Sequence, residues 1–472
     1  MTDTPRTRTS PLILLALASA TLTAALGISI ASVLLPTLSR SYGASVSQVQ
    51  WVVLAYLMSM TVAVVSAGRL GDTFGHRRVL LSGLAVFVAG SLGCATAPGL
   101  EWLILGRAVQ GLGAAILIAL PMSIARDMFS TARLGTSMGV IATMSAIGTA
   151  LGPSVGGALL AWGDWRMTFH LLAGAGLVTF ALAAASLGPG VARRRPTARE
   201  MDIPGTFLLM IAVAAYALAT SGGAVRLPVG AAVLIPFAAL AAVVFATIET
   251  RVASPLVPMH LLRDRKTGIG FVMNMIVGTI MMSTLVIGPF FLAFALGLNE
   301  ALVGLVMAVG PAVASLAGIP AGRLTDRLGA KRVVRIGLAQ IAVGLLCLAV
   351  LPRYFGVGGY VAALFTLTPA FQLFLAANNT MVLLDASPEQ RGRLSGLLGL
   401  SRNLGLMTGA SLMPAVFVAI LGTGDAAHAS GDRVAHAFSM TFTAAAGVAL
   451  LALGLAAFSQ SGRAAGTSDP AR

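Results

Sequence analysis

Long apolar runs alternate with short polar loops along the whole chain of 472 residues. A helix needs about 20 apolar residues to cross the hydrocarbon core of a bilayer, and the runs approach or exceed that length. Because backbone polar groups cannot stay unpaired in lipid, each run is predicted to be helical. The pattern predicts fourteen transmembrane helices, at residues 11–36, 50–68, 79–97, 101–125, 136–161, 168–187, 203–221, 230–249, 267–296, 301–321, 333–351, 360–384, 394–421 and 435–458.

The composition agrees with this pattern. Hydrophobic residues make up 57% of the chain and charged residues 10%, which excludes an ordinary soluble domain and indicates an all-α polytopic membrane protein. The first apolar run is too long for the h-region of a signal peptide, so we expect it to remain as a helix. The five histidines show no spacing typical of a catalytic or metal site. We therefore expect no enzyme activity, no cofactor and no metal.

Basic residues indicate the orientation of the helices. The formal net charge of +15 is spread over many short loops, which argues against a nucleic-acid partner. By the positive-inside rule, the loops rich in Lys and Arg are cytoplasmic. An even number of spans then places both termini in the cytoplasm and the protein in the plasma (inner) membrane. These loops carry Arg77, Arg78, Arg126, Arg133, Arg193, Arg194, Arg195, Arg263, Arg265, Lys266, Lys331, Arg332, Arg391 and Arg393.

An internal repeat divides the chain. The loop GRLGDTFGHRR at residues 68–78 returns as GRLTDRLGAKR at residues 322–332, in both cases between two apolar runs. We therefore predict two parallel six-helix halves, at residues 11–188 and 267–458, with the substrate path between them. Residues 189–266 form a linker with two extra transmembrane helices. Gly68, Arg69, Leu70, Asp72, Gly75 and Arg78 recur as Gly322, Arg323, Leu324, Asp326, Gly329 and Arg332.

The repeated loop resembles the Gly-x-Leu-x-Asp-x-x-Gly-x-Arg-Arg motif of the major facilitator superfamily, and nearly the whole chain resembles its fourteen-helix drug:proton antiporter branch. The resemblance implies a latch that holds the cytoplasmic side shut in one conformation. By analogy, Asp72 would face the helix start near Leu394, and Asp326 the helix start near Thr136. The alternative is an ordinary basic topogenic loop. The implied latch residues are Gly68, Asp72, Gly75, Arg77, Arg78, Gly322, Asp326, Gly329 and Arg332.

An arginine inside the fourth predicted helix is the second resemblance. Residues 103–115, LILGRAVQGLGAA, are similar to a family motif that includes Arg107 and Gln110 and is assigned to proton coupling. Arg107 lies about 9 Å along the helix from its outer end, where a charge is costly and usually functional. The alternative is that Arg107 extends to the outer surface and only anchors the helix. Arg402 is a second arginine within an apolar run.

Glycines in the fifth predicted helix form the third resemblance. Residues 148–157, GTALGPSVGG, match the family signature that distinguishes antiporters, which implies export. Small residues four apart also let helices approach closely, so generic packing is the alternative. Gly310 and Pro311 offer a complementary small surface for this helix. The signature residues are Gly148, Gly152, Pro153, Gly156 and Gly157.

One departure concerns the proton carrier. The family's acid in the first helix is replaced here by Gly27, and no Asp or Glu lies well inside an apolar run. His170 and Glu101, near the outer ends of their helices, are the remaining candidates for coupling. A histidine at this position is also compatible with a simple interfacial role.

These patterns together predict a secondary active exporter of small apolar organic molecules such as antibiotics or secondary metabolites. The proton gradient would drive export through alternating access, with the substrate, protons and the lipid bilayer as partners and the monomer as the working unit. The competing hypothesis is a facilitator or importer of a small metabolite without proton antiport. The helices contain arginines and no acid, so we expect neutral or anionic substrates.

Overall fold

The computed structural model describes residues 10–129, 131–188, 203–220, 231–252, 259–384 and 388–461. All secondary structure in these ranges is helical, which confirms the all-α prediction. The helices of the first half are α1 (Ser10–Tyr42), α2 (Val46–Val49), α3 (Trp51–Phe74), α4 (His76–Ala95), α5 (Leu100–Met128), α6 (Thr131–Trp162) and α7 (Arg166–Ser186).

Two helices, α8 (Ile203–Thr220) and α9 (Ala231–Glu249), follow the first half. A π-helical turn, Phe291–Ala295, continues α11. Side chains of Asp264 and Asn299 cap the starts of α11 and α12 by accepting backbone hydrogen bonds. The remaining helices are α10 (Met259–Arg263), α11 (Arg265–Phe290), α12 (Glu300–Leu328), α13 (Ala330–Leu383), α14 (Pro388–Leu421) and α15 (Gly431–Ser461).

Eleven helical stretches of the described chain are long and apolar enough to cross a membrane. The apolar parts of α8 and α9, Gly205–Thr220 and Val233–Glu249, are shorter. Helix α13 is interrupted at Gly356, whose φ of 55° lies outside the helical region and divides it into two arms. The polytopic fold is thus confirmed, whereas the number of fourteen spans stays a prediction.

The helices form two groups with matching neighbours. In the first group α1 packs against α6, α5 packs against both α3 and α4, and α4 packs against α7. In the second group α11 packs against α14, and α13 packs against both α12 and α15. The same pairing in both groups fits the repeat read from the loops. The division at residues 188 and 267 stays a prediction, since residues 189–202 of the linker lie outside the described ranges.

Helix α8 connects the two groups. It packs against α9, α3 and α14. Near one end, the hydroxyls of Ser66 in α3 and Thr206 in α8 lie 3.2 Å apart. Toward its other end, Tyr216 donates to the Thr408 hydroxyl at 3.2 Å, and Thr220 donates to the Ser411 hydroxyl at 2.8 Å. Polar contacts therefore fix the inserted helix to both halves.

The halves are joined where α1 ends and α12 begins, an end that we call the outer end after the predicted orientation. Arg40 of α1 forms an ion pair with Glu300 of α12 at 3.4 Å. The Arg40 guanidinium also lies 4.8 Å from the ring centre of Phe294. The backbone N–H of Val46 donates to the carbonyl of Gly424 at 3.0 Å. The repeated loops lie at the opposite, inner end.

Candidate functional site

Arg107 is fully buried in the first group of helices. Its Nε donates to the backbone carbonyl of Val52 in α3 at 2.8 Å, and its Nη1 donates to the Gln110 side chain, one turn later in α5. The ring centre of Tyr56 lies 4.1 Å from the guanidinium carbon, within cation–π range. The side chain is therefore enclosed between α3 and α5 and does not extend to the surface.

Gln110 continues this network into α4. Its Nε2 donates to the Ser91 hydroxyl at 2.7 Å, and Ser91 donates to the carbonyl of Phe87 at 2.7 Å. Close approach of the two helices depends on Gly90, where a Cβ would lie 2.5 Å from the backbone nitrogen of Gln110. Three helices thus fix the orientation of the arginine, and their backbone spacing leaves little freedom to reposition it.

The Nη2 nitrogen of Arg107 is buried and has no hydrogen-bond partner among the described residues. Gly27 of α1 lies close by, because a Cβ there would be 3.1 Å from the Tyr56 hydroxyl, which itself donates to the carbonyl of Ala24. The position where the resemblance expects an acid therefore adjoins the ring that packs on Arg107. A buried donor of this kind can bind an anionic or acceptor group.

The structure does not enclose the other coupling candidates with Arg107. Glu101, in the first turn of α5, and His170 are both exposed. His170 Nδ1 lies 3.1 Å from the carbonyl oxygen of Arg166, one turn earlier in α7. Arg402 of α14 is also exposed, unlike Arg107. Among the described residues, Arg107 and Glu249 are the buried members of the Asp, Glu, Lys, Arg and His set, and Glu249 lies at the end of α9.

The first repeated loop joins α3 to α4 through Gly75, whose φ of 90° ends α3 where a side chain would be strained. The Asp72 side chain is 77% exposed, and its Oδ1 lies 3.4 Å from Nε2 of His76. Arg77 donates to the carbonyl of Ala184 in α7 at 3.0 Å, and Arg78 is exposed. Gly68 lies one turn before Asp72, with open space at its Cβ position.

The second repeated loop has the same backbone. Gly329, with φ of 82°, ends α12 as Gly75 ends α3. Asp326 and Arg332 are exposed, and Gly322 has open space at its Cβ position. Side chains of residues 131–135 and 388–393 lie outside the described ranges. The predicted cross-contacts of Asp72 and Asp326 with the helix starts near Leu394 and Thr136 stay predictions.

Glycines of α6 bring its backbone against α1. A Cβ at Gly148 would lie 2.5 Å from the carbonyl oxygen of Leu22, and one at Gly156 would lie 2.7 Å from a methyl of Val33. Gly152 lies directly against Ser29, which donates to the carbonyl of Gly148 at 3.2 Å. The glycine spacing thus produces the close helix packing that such a stripe favours.

The last glycine of the stripe contacts the other half. A Cβ at Gly157 would lie 2.7 Å from the Cα of Gly304 in α12, and a Cβ at Gly304 would collide with the carbonyl of Pro153. The partner surface on α12 therefore centres on Gly304. The expectation that Gly310 and Pro311 provide it is wrong for Gly310, whose Cβ position faces Thr368 and Leu364 of α13.

Sequence reasoning missed three residues at these sites. Gly304 lies in the first turns of α12, and the sequence does not show which face of that apolar helix packs against α6. His76 occupies one of the unspecified positions of the repeated motif, so the motif assigns it no role. Asp127, in the last turn of α5, lies with its Oδ2 3.4 Å from His76 Nδ1, a contact between helices that loop motifs do not reveal.

Comparison with known proteins gives consistent matches. The sequence matches the Major Facilitator Superfamily over residues 17–268 and again over residues 268–472. It is 30% identical over 386 residues to the uncharacterized transporter YebQ of Escherichia coli (strain K12), covering 81% of this chain and 84% of that protein. It is 27% identical over 390 residues to the riboflavin transporter RibZ of Clostridioides difficile (strain 630), covering 82% and 84%.

A third relative is the multidrug resistance protein Stp of Mycobacterium tuberculosis (strain ATCC 25618 / H37Rv), at 27% identity over 395 residues, covering 83% of this chain and 73% of Stp. Among solved structures, a bacterial homolog of the human lysosomal transporter Spinster has a TM-score of 0.72 at 13% identity, covering 96% of this chain and 97% of that chain. This structural likeness concerns the fold alone.

Proposed function

The chain belongs to the major facilitator superfamily and is a multi-pass membrane transporter, and we propose that it is a secondary active exporter of small apolar organic molecules, driven by the proton gradient. Antibiotics and secondary metabolites are the substrate class that we expect. The observation that carries the proposal is the enclosed Arg107 with its free Nη2 donor, in helices that place no buried carboxylate beside it among the described residues.

Electrostatics connects this site to substrate charge. A cation that enters a low-dielectric cavity without a partner costs several kcal/mol, whereas an anion or a neutral acceptor is stabilised by a guanidinium. Arg107 is already compensated in part by carbonyl and amide oxygens and by the Tyr56 ring. A substrate with a carboxylate, phenolate or carbonyl oxygen therefore fits this half of the protein better than a quaternary ammonium compound.

Two observations support export. Residues 148–157 of α6 match the glycine signature that, by the resemblance, distinguishes antiporters. One relative is named as a multidrug resistance protein and another, MdtP of Bacillus subtilis (strain 168), as a multidrug transporter, the latter at 28% identity. In this proposal the chain lies in the fourteen-helix drug:proton antiporter branch, in the plasma membrane, with both termini cytoplasmic and the monomer as the working unit.

The helix count supports this branch when three features are taken together. Eleven helices qualify as spans by length and composition, and α13 counts once among them although Gly356 divides it into two arms. Counting both arms and adding the packed pair α8 and α9 gives the fourteen helices of this branch. In the proposal, Asp72 and Asp326 act as latch residues at the inner end. Glu101 and His170 remain the candidates that would carry protons at the outer ends of α5 and α7.

A facilitator or importer of a small metabolite is the second candidate. It is favoured by the similarity to the riboflavin transporter RibZ and by Gly27, which replaces the acid of the drug:proton antiporters. The two candidates differ in the direction of net transport and in its dependence on the proton gradient.

Everted membrane vesicles separate these candidates, since their cytoplasmic face is exposed to the bath. We expect energised vesicles to accumulate neutral and anionic apolar compounds, to lose that accumulation when an uncoupler collapses the gradient, and to accumulate ethidium weakly. A susceptibility panel in an efflux-deficient host would select the compounds. Strong gradient-driven uptake of ethidium that anionic competitors leave unchanged would contradict the charge preference, and equal equilibration with or without the gradient would favour the facilitator.

A further inference from the structure

His76 lies between two carboxylates that belong to different helices. It is the first residue of α4, with Nε2 3.4 Å from Asp72 Oδ1 in α3 and Nδ1 3.4 Å from Asp127 Oδ2 in α5. The imidazole side chain is 22% exposed, whereas Asp72 and Asp127 are 77% and 51% exposed. Both ring nitrogens thus face an acid, although Nε2 lies at ion-pair distance without a hydrogen bond in the described residues.

This arrangement suits a protonated imidazole. A neutral ring has one N–H donor and one acceptor nitrogen, so it can attract one carboxylate and must present a lone pair to the other. The imidazolium has two N–H groups and a positive charge, and it attracts both acids at once. Histidine is also the side chain whose charge ordinarily changes between about pH 5 and 8.

Room for the ring comes from a glycine specific to this loop. A Cβ at Gly71 would lie 2.8 Å from Cδ2 of His76 and 2.5 Å from a methyl of Leu120, so the imidazole packs on bare backbone of α3. The second repeated loop has Thr325 and Ala330 at the equivalent positions, and the Thr325 side chain is buried. The histidine and the space that accepts it therefore occur together in the first loop and are both replaced in the second.

Other charged groups nearby are basic. Arg69 lies in α3, Arg126 lies in α5 beside Asp127, and Arg77 and Arg78 follow His76 in α4. The Arg77 guanidinium is directed to the carbonyl of Ala184 in α7, and the inner half of α7 has no titratable side chain. Asp72 and Asp127 are therefore the acids that face His76 from the helices packed against it.

We propose that His76 is a positioning residue that makes the inner latch sensitive to cytoplasmic pH. When protonated, it holds the Asp72 carboxylate against α4 and α5, which favours the arrangement seen here, with the halves joined at the outer end. When deprotonated, it releases Asp72 for the helix start near Leu394, which favours closure of the inner end. The stabilisation is present while both ring nitrogens carry a proton and is lost when one of them gives it up. This inference rests on the latch role of Asp72 proposed above.

Distance measurement on the intact protein tests the proposal without any substrate. Spin labels at Phe74→Cys and Leu328→Cys, in a Cys94→Ala, Cys347→Ala background, mark equivalent exposed positions of the two repeated loops. In lipid nanodiscs we expect the short-distance, inner-closed population to rise at least about twofold between about pH 5 and 8, the range in which the charge of a histidine side chain ordinarily changes. A population that does not move with pH would overturn the proposal.

Variants assign the response to this side chain. His76→Arg keeps a positive charge at every pH, so its population should stay at the low-pH value, whereas His76→Gln should stay near the high-pH value. Asp127→Asn should reduce the response without abolishing it. The matched control is His428→Gln, which removes a histidine paired with Asp425 in an outer loop at 2.7 Å and should leave the response unchanged.

Two further outcomes have separate meanings. A pH response that persists in His76→Arg would overturn the role of His76 and leave the proposed export function intact. A reversed charge preference in the vesicle experiment would overturn the substrate proposal, while the distance response would stand. Each His76 variant should be checked for folding by its thermal midpoint, and His76→Gln provides a second, uncharged variant if His76→Arg does not fold.

Discussion

Tyr56 occupies the space beside Arg107 that a carboxylate from α1 would require. A Cβ at Gly27 would lie 3.1 Å from the Tyr56 hydroxyl and 3.4 Å from the Phe87 ring, so a side chain there requires at least a small shift of Tyr56. The Tyr56 ring face stabilises the Arg107 cation through its quadrupole, in place of the full negative charge of a carboxylate. Such a cation–π contact contributes about 2 kcal/mol or more when it is desolvated. Arg107 therefore keeps more of its attraction for an incoming anion than an ion-paired arginine would.

Substitution of Arg107 tests this reading. Arg107→Ala should abolish gradient-driven export, because it removes the free Nη2 donor and the bonds to Val52 and Gln110. Arg107→Lys should restore export only in part. The planar guanidinium of arginine contacts Val52 and Gln110 and still leaves Nη2 available, whereas the single ammonium group of a lysine cannot do all three. Initial rates in everted vesicles, normalised to protein in the membrane, would measure both variants. Unchanged export and unchanged proton dependence in Arg107→Ala would assign the residue to structure alone.

At the scale of helices, the seam between α6 and α12 depends on two glycines that face each other. Gly157 and Gly304 allow backbone contact between the halves close to the Arg40–Glu300 ion pair. Because both partners lack side chains, the contact is made by rigid backbone that cannot adjust as a flexible side chain would. We therefore expect this seam to be sensitive to a single methyl group.

A pair of glycine substitutions in α12 measures that sensitivity. Gly304→Ala should lower stability by about 1–3 kcal/mol, the usual cost of overpacking, because its Cβ meets the carbonyl of Pro153. Gly318→Ala, in the same helix with open space at its Cβ position, should be neutral or stabilising by up to about 1 kcal/mol. Thermal unfolding in detergent would compare them. Equal midpoints for the two variants would show that the seam is not tightly packed in the membrane protein.

Helix positions and the repeat were predictable because lipid allows a single local solution for an apolar run, and this constraint acts on each run independently. The loop glycines Gly75 and Gly329 were also predictable, since a positive φ has few alternatives to glycine. Contacts between helices were not. The partner of Gly157 is Gly304 and not Gly310, because rotation of α12 about its own axis decides which glycine faces α6, and an apolar helix carries no pattern that fixes this rotation.

The two halves are joined by the Arg40–Glu300 ion pair at the outer end, and Asp72 and Asp326, the proposed latch residues, are exposed at the inner end. In alternating access, closing the inner end has to create contacts that compensate for those lost at the outer end. Asp72 and Asp326 are placed for this role, because both occupy the last turn of a helix at the inner end and neither is buried. We therefore expect the proposed latch contacts of Asp72 and Asp326 to form when the inner end closes.

Neutralising the latch should slow turnover without unfolding the protein. Asp72→Asn keeps the shape of the side chain and removes its charge. We expect export to fall about tenfold, since a hydrogen bond to a charged group contributes about 1.5 kcal/mol or more. Initial transport rates in proteoliposomes, with the thermal midpoint as the folding control, provide the measurement. Asp326→Asn is the matched variant in the second loop, and a full rate in Asp72→Asn would contradict the latch.

The position of the Gly157–Gly304 contact also sets how motion is transmitted. Gly304 lies one turn from the start of α12, so about 36 Å of helix extends beyond it toward the inner end at 1.5 Å per residue. If the two halves pivot at this contact, each degree of tilt moves the far end of α12 by about 0.6 Å, by the geometry of that helix length. A tilt at this contact then moves the outer loops very little and the inner end of α12 much further, which is enough to open a passage at the inner end.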